Sequence, residues 1–229
     1  MFPGPHFVDR YDAGRRLGEM LREHVTDRPL IVLGLPRGGV PVAARVAEAL
    51  DAPLDIFVVR KLGVPNHEEL AMGAIASGGA EVLNSDVIRA MGIPGGAIEQ
   101  VVAAERLELN RREIAYREGR AFPTLTGETV VVVDDGAATG ASMRVAVLAL
   151  RQLGARSIIA AVPVASRDAI ELLDAAADET MCVIAPEPFY AVGAWYQEFA
   201  ESTDGEVRML LAEARRRWNA APSTHTAVG

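Results

Sequence analysis

Cysteine is nearly missing from this chain. Cys182 is the only one in 229 residues, so no disulfide can close within the chain and a cysteine metal cluster is excluded. Long apolar runs are missing too. The strongest, Val130 to Val133 and Ile158 to Ala165, fall far short of the ~20 residues a membrane helix needs. Met1 to Arg10 lacks the basic-then-apolar pattern of a secretory leader. Positive charge is in deficit, with 23 Lys+Arg against 31 Asp+Glu and a net charge of −8. That balance argues against a general nucleic-acid binder, which needs a basic face. The expectations are a reducing, cytoplasmic setting, no membrane and no nucleic acid. Any anionic ligand must then be held by locally placed cations and backbone N–H groups.

What is present is an ordinary globular composition, half hydrophobic and 24% charged. The length suits one sizeable core. Short β-branched runs predict buried strands at Leu30–Leu33, Ile56–Val59, Val130–Val133, Ile158–Val164 and Met181–Ala185. They are continuously apolar, as expected when helices cover both faces of a parallel sheet. Helices are predicted between them at Val40–Leu50, Ala141–Leu153 and Ser166–Ala176, with Ser166 as N-cap. The alternation predicts an α/β fold with a mainly parallel central sheet flanked by helices.

Two helices flank that core, at Tyr11–Val25 and after the capping-box pair Thr203 and Glu206. The second carries an apolar stripe of Val207, Leu210, Leu211, Ala214 and Trp218. Between the second and third strands, Gly96–Arg120 reads as a long helix. Its arginines are interleaved with acids, including the i,i+4 pairs Glu108–Arg112 and Glu113–Arg117. The expected organisation is one domain over residues 1–218, with a core about 26–185. A small C-terminal hood spans about 186–202 together with the N-terminal segment, and 219–229 reads as a flexible tail.

In an open parallel sheet, ligands bind beyond the carboxyl ends of the strands. The first strand runs into Gly34-Leu35-Pro36-Arg37-Gly38-Gly39, the second into Arg60-Lys61, and the third into Asp134-Asp135-Gly136-Ala137-Ala138-Thr139-Gly140-Ala141-Ser142. Two arginines, a lysine, two aspartates and two glycine-rich turns are thus expected on one edge. The third segment is the most specific. Small residues let successive N–H groups wrap an anion, and the following helix adds its positive end. The lysine of a Walker loop is missing, and GxGxxG is not matched.

Val130 to Ser142 resembles the signature of the type I phosphoribosyltransferases that binds 5-phosphoribosyl-1-pyrophosphate (PRPP): four apolar residues, two acids and a short turn ending in Thr-Gly. The resemblance spans roughly Leu30 to Phe199. Within the family it is greatest to bacterial phosphoribosyltransferase-domain proteins sharing an FxAVGxWYxxF-like segment, here Phe189 to Phe199. The resemblance implies that Ala138 to Ser142, with Gly136 and Ala137, cradle the 5-phosphate. It implies that Asp134 and Asp135 contact the ribose hydroxyls, directly or through Mg²⁺. Arg37-Gly38-Gly39 matches the loop that grips pyrophosphate, often with a cis peptide. Arg60-Lys61 matches the basic pair opening a loop that closes over PRPP. Tyr190, Val192 and Gly193 fall in the hood that holds the acceptor base, although Tyr190 and Trp195 read equally well as packing aromatics. His67, beside Glu68 and Glu69, reads as a solvated loop residue.

The implied activity is Mg²⁺-dependent transfer of the phosphoribosyl group from PRPP to a nitrogenous acceptor, a nucleobase being the expected class, with release of pyrophosphate. Arg37, Lys61, Asp134 and Asp135 are the expected catalytic set, in a chain expected to pair as a homodimer. A non-catalytic PRPP or nucleotide sensor of the same fold and a sugar-phosphate hydrolase are the alternatives. Ala138 stands where the 6-oxopurine enzymes carry an acid, which makes an oxopurine acceptor less expected. The absence of further loop lysines weighs against orotate.

Overall fold

In the computed structural model, residue 4 and residues 6–220 are described. Five strands form the main sheet: β1 (Leu30–Gly34), β2 (Leu54–Ile56), β6 (Thr129–Val133), β7 (Ser157–Val164) and β8 (Glu179–Ile184). Their spatial order is β2-β1-β6-β7-β8, and every pairing is parallel. Three further strands, β3 (Val59–Val64), β4 (His67–Ala76) and β5 (Glu81–Leu83), make a separate antiparallel sheet.

The valine run of β6 shows why the sheet is buried on both sides. Successive side chains point to opposite faces. Val130 and Val132 meet Met143, Val147 and Leu150 of α5 (Ala141–Gln152). Val131 and Val133 meet Leu17 and Leu21 of α1 (Arg10–His24) and Val42 and Val46 of α2 (Gly39–Ala49). Each is 0% exposed, so a polar residue at any of these positions would lose a full side chain's transfer energy, about 1.5–3 kcal/mol.

The α5 side is completed by α6 (Arg167–Asp174), whose N-cap Ser166 accepts from the Ala169 amide at 3.0 Å. A third apolar cluster lies under the antiparallel sheet. There Val58, Leu62 and Met72 pack with Leu109 and Tyr116 of α4 (Gly95–Arg117) and with Val207, Leu210 and Leu211 of α7 (Asp204–Ala220). A short helix, α3 (Ser85–Ala90), precedes α4. The expected pairs Glu108–Arg112 and Glu113–Arg117 both form, at 2.9 and 2.5 Å. The Thr203 hydroxyl accepts from the Glu206 amide at 3.1 Å, as the capping-box spacing predicts.

Three expectations are corrected. Ile56 to Val59 is not one strand, because β2 ends at Ile56 and β3 begins at Val59 in the other sheet. The Phe57 amide still donates to Gly34 O, but Val58 turns away and exchanges bonds with Ser77, whose hydroxyl accepts at 2.9 Å. Arg60 and Lys61 accordingly lie inside a β-hairpin, paired with Ile75 and Ala74, and do not open a loop. The expected tail at 219–229 starts inside α7, which continues to Ala220; the rest lies outside the described residues.

The chain leaves β1 for β2 on one side and reaches β7 and β8 on the other. The topological switch therefore lies between β1 and β6, which is where the crevice of an open α/β sheet opens.

Candidate active site

At that switch the carboxyl ends of β1 and β6 lie side by side, in register from Leu30↔Thr129 to Gly34↔Val133. After β1 the chain turns through Leu35 to Gly39, with a cis peptide between Pro36 and Arg37. Two glycines let this loop press against the acids that follow β6. A methyl group on Gly39 would lie 2.7 Å from Val133 O and 2.8 Å from Asp134 Cα. One on Gly38 would lie 2.1 Å from Asp135 Oδ2. No side chain fits at either position without moving the acid pair.

The turn after β6 is open to an anion. The Ala137 amide donates to Val164 O, but the amides of Ala138, Thr139 and Gly140 find no acceptor among the described residues. Gly140, at φ +69°, takes the left-handed conformation that delivers the chain into α5. Ala138 and Thr139 are exposed and stand at the positive end of that helix. The Ser166 hydroxyl, donating to Ala138 O at 2.7 Å, fixes the turn from the β7 side.

Asp134 and Asp135 are adjacent in sequence but differ in surroundings. Asp134 Oδ1 accepts from the Asp135 amide at 2.9 Å. Its carboxyl is pushed well above the usual carboxylate range by burial and then by the charge of Asp135. Burial also raises Asp135, against the opposing pull of Arg10. Asp134 lines a cavity of about 220 Å³ with Pro36, Phe57, Lys61, Ser142 and Val145. Lys61 is the only lysine in the chain. A wider groove of about 710 Å³ runs along α1 and α2, but Asp9, Asp12, Glu19 and Glu48 line it beside Arg15, Arg22 and Arg45, and Arg15 and Arg45 are paired with those acids, so its lining is acidic on balance and suits an anion poorly.

The remaining expected residues divide. Arg37 stays at the site edge, half-exposed and paired with Glu201 and, at 3.8 Å, with Asp204. Arg60 is engaged elsewhere, its Nε donating to Glu105 of α4 at 2.7 Å. In the hood, a short 3-10 helix at Val192–Trp195 packs down on the site. Val192 closes on Gly136, where an added methyl would be 2.5 Å from Cγ1. Gly193 likewise sits against Phe199. Trp195 is 3% exposed and packs with Phe7, whereas Tyr190 is 64% exposed. Phe7 also bridges to Tyr196, which joins the N-terminal segment to the hood.

Two participants were not anticipated. Arg10, the first residue of α1, donates from Nε to Asp135 Oδ2 at 2.8 Å. Tyr196 donates from its hydroxyl to Asp135 O at 2.5 Å. Arg10 lies 125 positions from Asp135, and no spacing rule connects them.

Comparisons with known proteins agree with this geometry. The family model described as "Phosphoribosyl transferase domain" matches residues 8–194. A Mycobacterium tuberculosis H37Rv protein, provisionally named a phosphoribosyl transferase, is 45% identical over 210 residues. That alignment covers 92% of this chain and 47% of the relative, so the chain spans about half the length of the curated relatives it matches. The crystal structure of TT1426 from Thermus thermophilus superposes with a TM-score of 0.82 at 43% identity, covering 91% of this chain and 98% of that one. Among the described residues no helix is long and apolar enough to cross a membrane. Signature, switch-point crevice and relatives converge: the chain belongs to the phosphoribosyl transferase domain family of the type I fold.

Proposed function

We propose that this protein transfers the phosphoribosyl group of PRPP to a nitrogenous acceptor of the nucleobase class and releases pyrophosphate. One observation carries the reading: three unpartnered amides and a helix N-terminus lie beside a buried carboxylate and a lysine, at the switch point of the sheet. A 5-phosphate suits the amides of Ala138 to Gly140 and the Thr139 and Ser142 hydroxyls. A pentose suits Asp134. A departing pyrophosphate suits Lys61 and the Arg37–Gly39 loop.

Breaking the anomeric bond develops positive charge on the ribose, which a preorganised carboxylate favours. Asp134 is held for that task, since its Oδ1 is fixed by the Asp135 amide and its carboxyl faces the cavity. Lys61 neutralises charge gathering on the leaving group. The hood, seated on Gly136 through Val192, positions the acceptor and excludes water.

The residues present fit Mg²⁺ as a partner of PRPP. No group of three or more His, Cys, Asp or Glu side chains gathers among the described residues, so a closed protein cage is not on offer. Mg²⁺ keeps its waters and takes one or two carboxylates plus substrate phosphates, which matches Asp134 opening on an otherwise acid-poor cavity. Asp134, with Asp135 indirectly, would hold the ion, which when bound supplies charge neutralisation for the pyrophosphate.

Titration calorimetry with PRPP and Mg²⁺, followed by a pyrophosphate-release screen across purines, pyrimidines and other amines, tests the proposal. Saturable binding and release with at least one acceptor are expected; absence of binding overturns it. Binding without release from any acceptor points to a sensor, the reading that the engagement of Arg37 by Glu201 and Asp204 favours.

The single lysine adds a direct probe. Amine acylation read by mass spectrometry reports Lys61 alone among the side chains. PRPP with Mg²⁺ is expected to slow that modification severalfold. Equal rates with and without ligand would remove Lys61 from the site.

A further inference from the structure

Arg10 lies outside the segment that carries the PRPP signature, yet its guanidinium is committed to that signature. Nε and Nη2 both reach Asp135 Oδ2 at 2.8 Å. Nη1 donates to Ala200 O at 2.5 Å. The guanidinium lies 3.8 Å from the centre of the Phe199 ring, in stacking contact. Its side chain is 11% exposed and that of Asp135 16%. Each of its three nitrogens is engaged by the protein and the side chain is largely covered, so Arg10 acts on a ligand chiefly through Asp135.

Asp135 is confined from every side. Oδ2 is taken by Arg10 and lies where a Gly38 methyl would be. Its backbone oxygen accepts from Tyr196, and its amide is tied to Asp134 Oδ1. Only Oδ1 of this carboxylate is left to a pentose hydroxyl. We infer that Arg10 is a positioning residue that orients Asp135 toward the pentose of the substrate and couples the hood, through Phe199 and Ala200, to the acid pair. The inference rests on the phosphoribosyl reading above.

A two-point planar grip explains why arginine stands there, since a lysine ammonium cannot hold one oxygen with two donors while stacking on a ring. It also gives the acid pair different duties. Asp134 opens on the cavity that holds Lys61, whereas Asp135 is aimed from behind by a cation and reports the seating of the hood.

The effect must therefore be specific to one part of the ligand. In Arg10→Met, affinity for PRPP and for ribose 5-phosphate, measured by calorimetry with Mg²⁺, is expected to fall about tenfold, the size of one lost charge-assisted hydrogen bond. Affinity for inorganic pyrophosphate should fall far less, because Lys61 and the Arg37–Gly39 loop carry it and Asp135 reaches the ion only indirectly. A residue that merely stabilises the fold would weaken all three alike. In an Asp135→Asn background, Arg10→Met should add little further loss, because both changes remove the same interaction. Arg10→Lys supplies a second variant for the same cycle should Arg10→Met fail to fold. Equal loss for pyrophosphate, or a full additional loss in the Asp135→Asn background, would overturn the assignment while leaving the functional reading standing. A wild-type protein that binds neither PRPP nor ribose 5-phosphate would remove both.

Discussion

Asp134→Asn is expected to make the protein more stable while weakening its hold on PRPP. The stability gain follows from the environment of the carboxyl. Burial and the charge of Asp135 raise its folded pKa above the ordinary value near 4. For an acid raised in this way, the unfolded chain ionises first as pH rises. The folded state therefore bears a penalty that is complete above the folded pKa and vanishes below the unfolded one. Asparagine removes it while Oδ1 can still accept from the Asp135 amide. A gain of roughly 1 kcal/mol corresponds to about 2–4 °C in Tm for a chain of this size. The increase should be seen at pH 7.5 and fade at pH 4. PRPP affinity should fall about ten- to a hundredfold, the scale of a lost hydrogen bond to a charged group. Paired melting curves and calorimetry decide the matter. A lower Tm at neutral pH would mean the acid is already compensated, and the account of its environment would be wrong.

The trade of stability against binding is what a functional carboxylate predicts, and the sequence carried part of that information openly. The run Val130 to Val133 is legible because its burial depends only on residue type and strand period, and both faces of the sheet follow from it. The turn at Ala138 to Gly140 is legible because small residues ahead of a helix leave backbone donors unsatisfied. The break between Ile56 and Val59 was hidden, since four apolar residues read alike whether they stay in one sheet or cross to another. What divides them is Ser77, 19 positions away from Val58. Arg60 and Lys61 look equivalent as a dipeptide, yet strand alternation sends neighbours to opposite faces. Lys61 borders the cavity, while Arg60 meets Glu105. Arg10 was illegible for the same reason on a larger scale, because its partner is chosen by tertiary packing alone.

The opposite sign is expected at the root of the hairpin that carries Lys61. Arg117, at the end of α4, is 2% exposed. Nε donates to Asp55 Oδ1 at 3.0 Å, Nη1 to Glu113 Oε1 at 2.5 Å and Nη2 to Ile56 O at 2.7 Å. The guanidinium also lies 4.8 Å from the centre of the Phe122 ring. These bonds fasten α4 to the end of β2, one residue before Phe57 turns into the cavity wall. Arg117→Met keeps much of the volume but leaves the largely covered Asp55 and Glu113 without that cation. Breaking such a pair from one side costs about 3–5 kcal/mol.

Burial already raises the pKa of Asp55, with Arg117 the main opposing influence, so the variant should raise it further. By linkage the added penalty is present in full above the folded pKa and relieved as pH falls towards the unfolded value. Denaturant unfolding should therefore show a large deficit at pH 7.5 and a smaller one at pH 4.5. Asp55→Asn in the Arg117→Met background should recover part of the loss, because the amide oxygen can still accept from the Ile56 amide, as Asp55 Oδ1 does at 2.7 Å. A deficit that is small, or independent of pH, would show that water reaches these acids and that α4 is held by its apolar contacts alone.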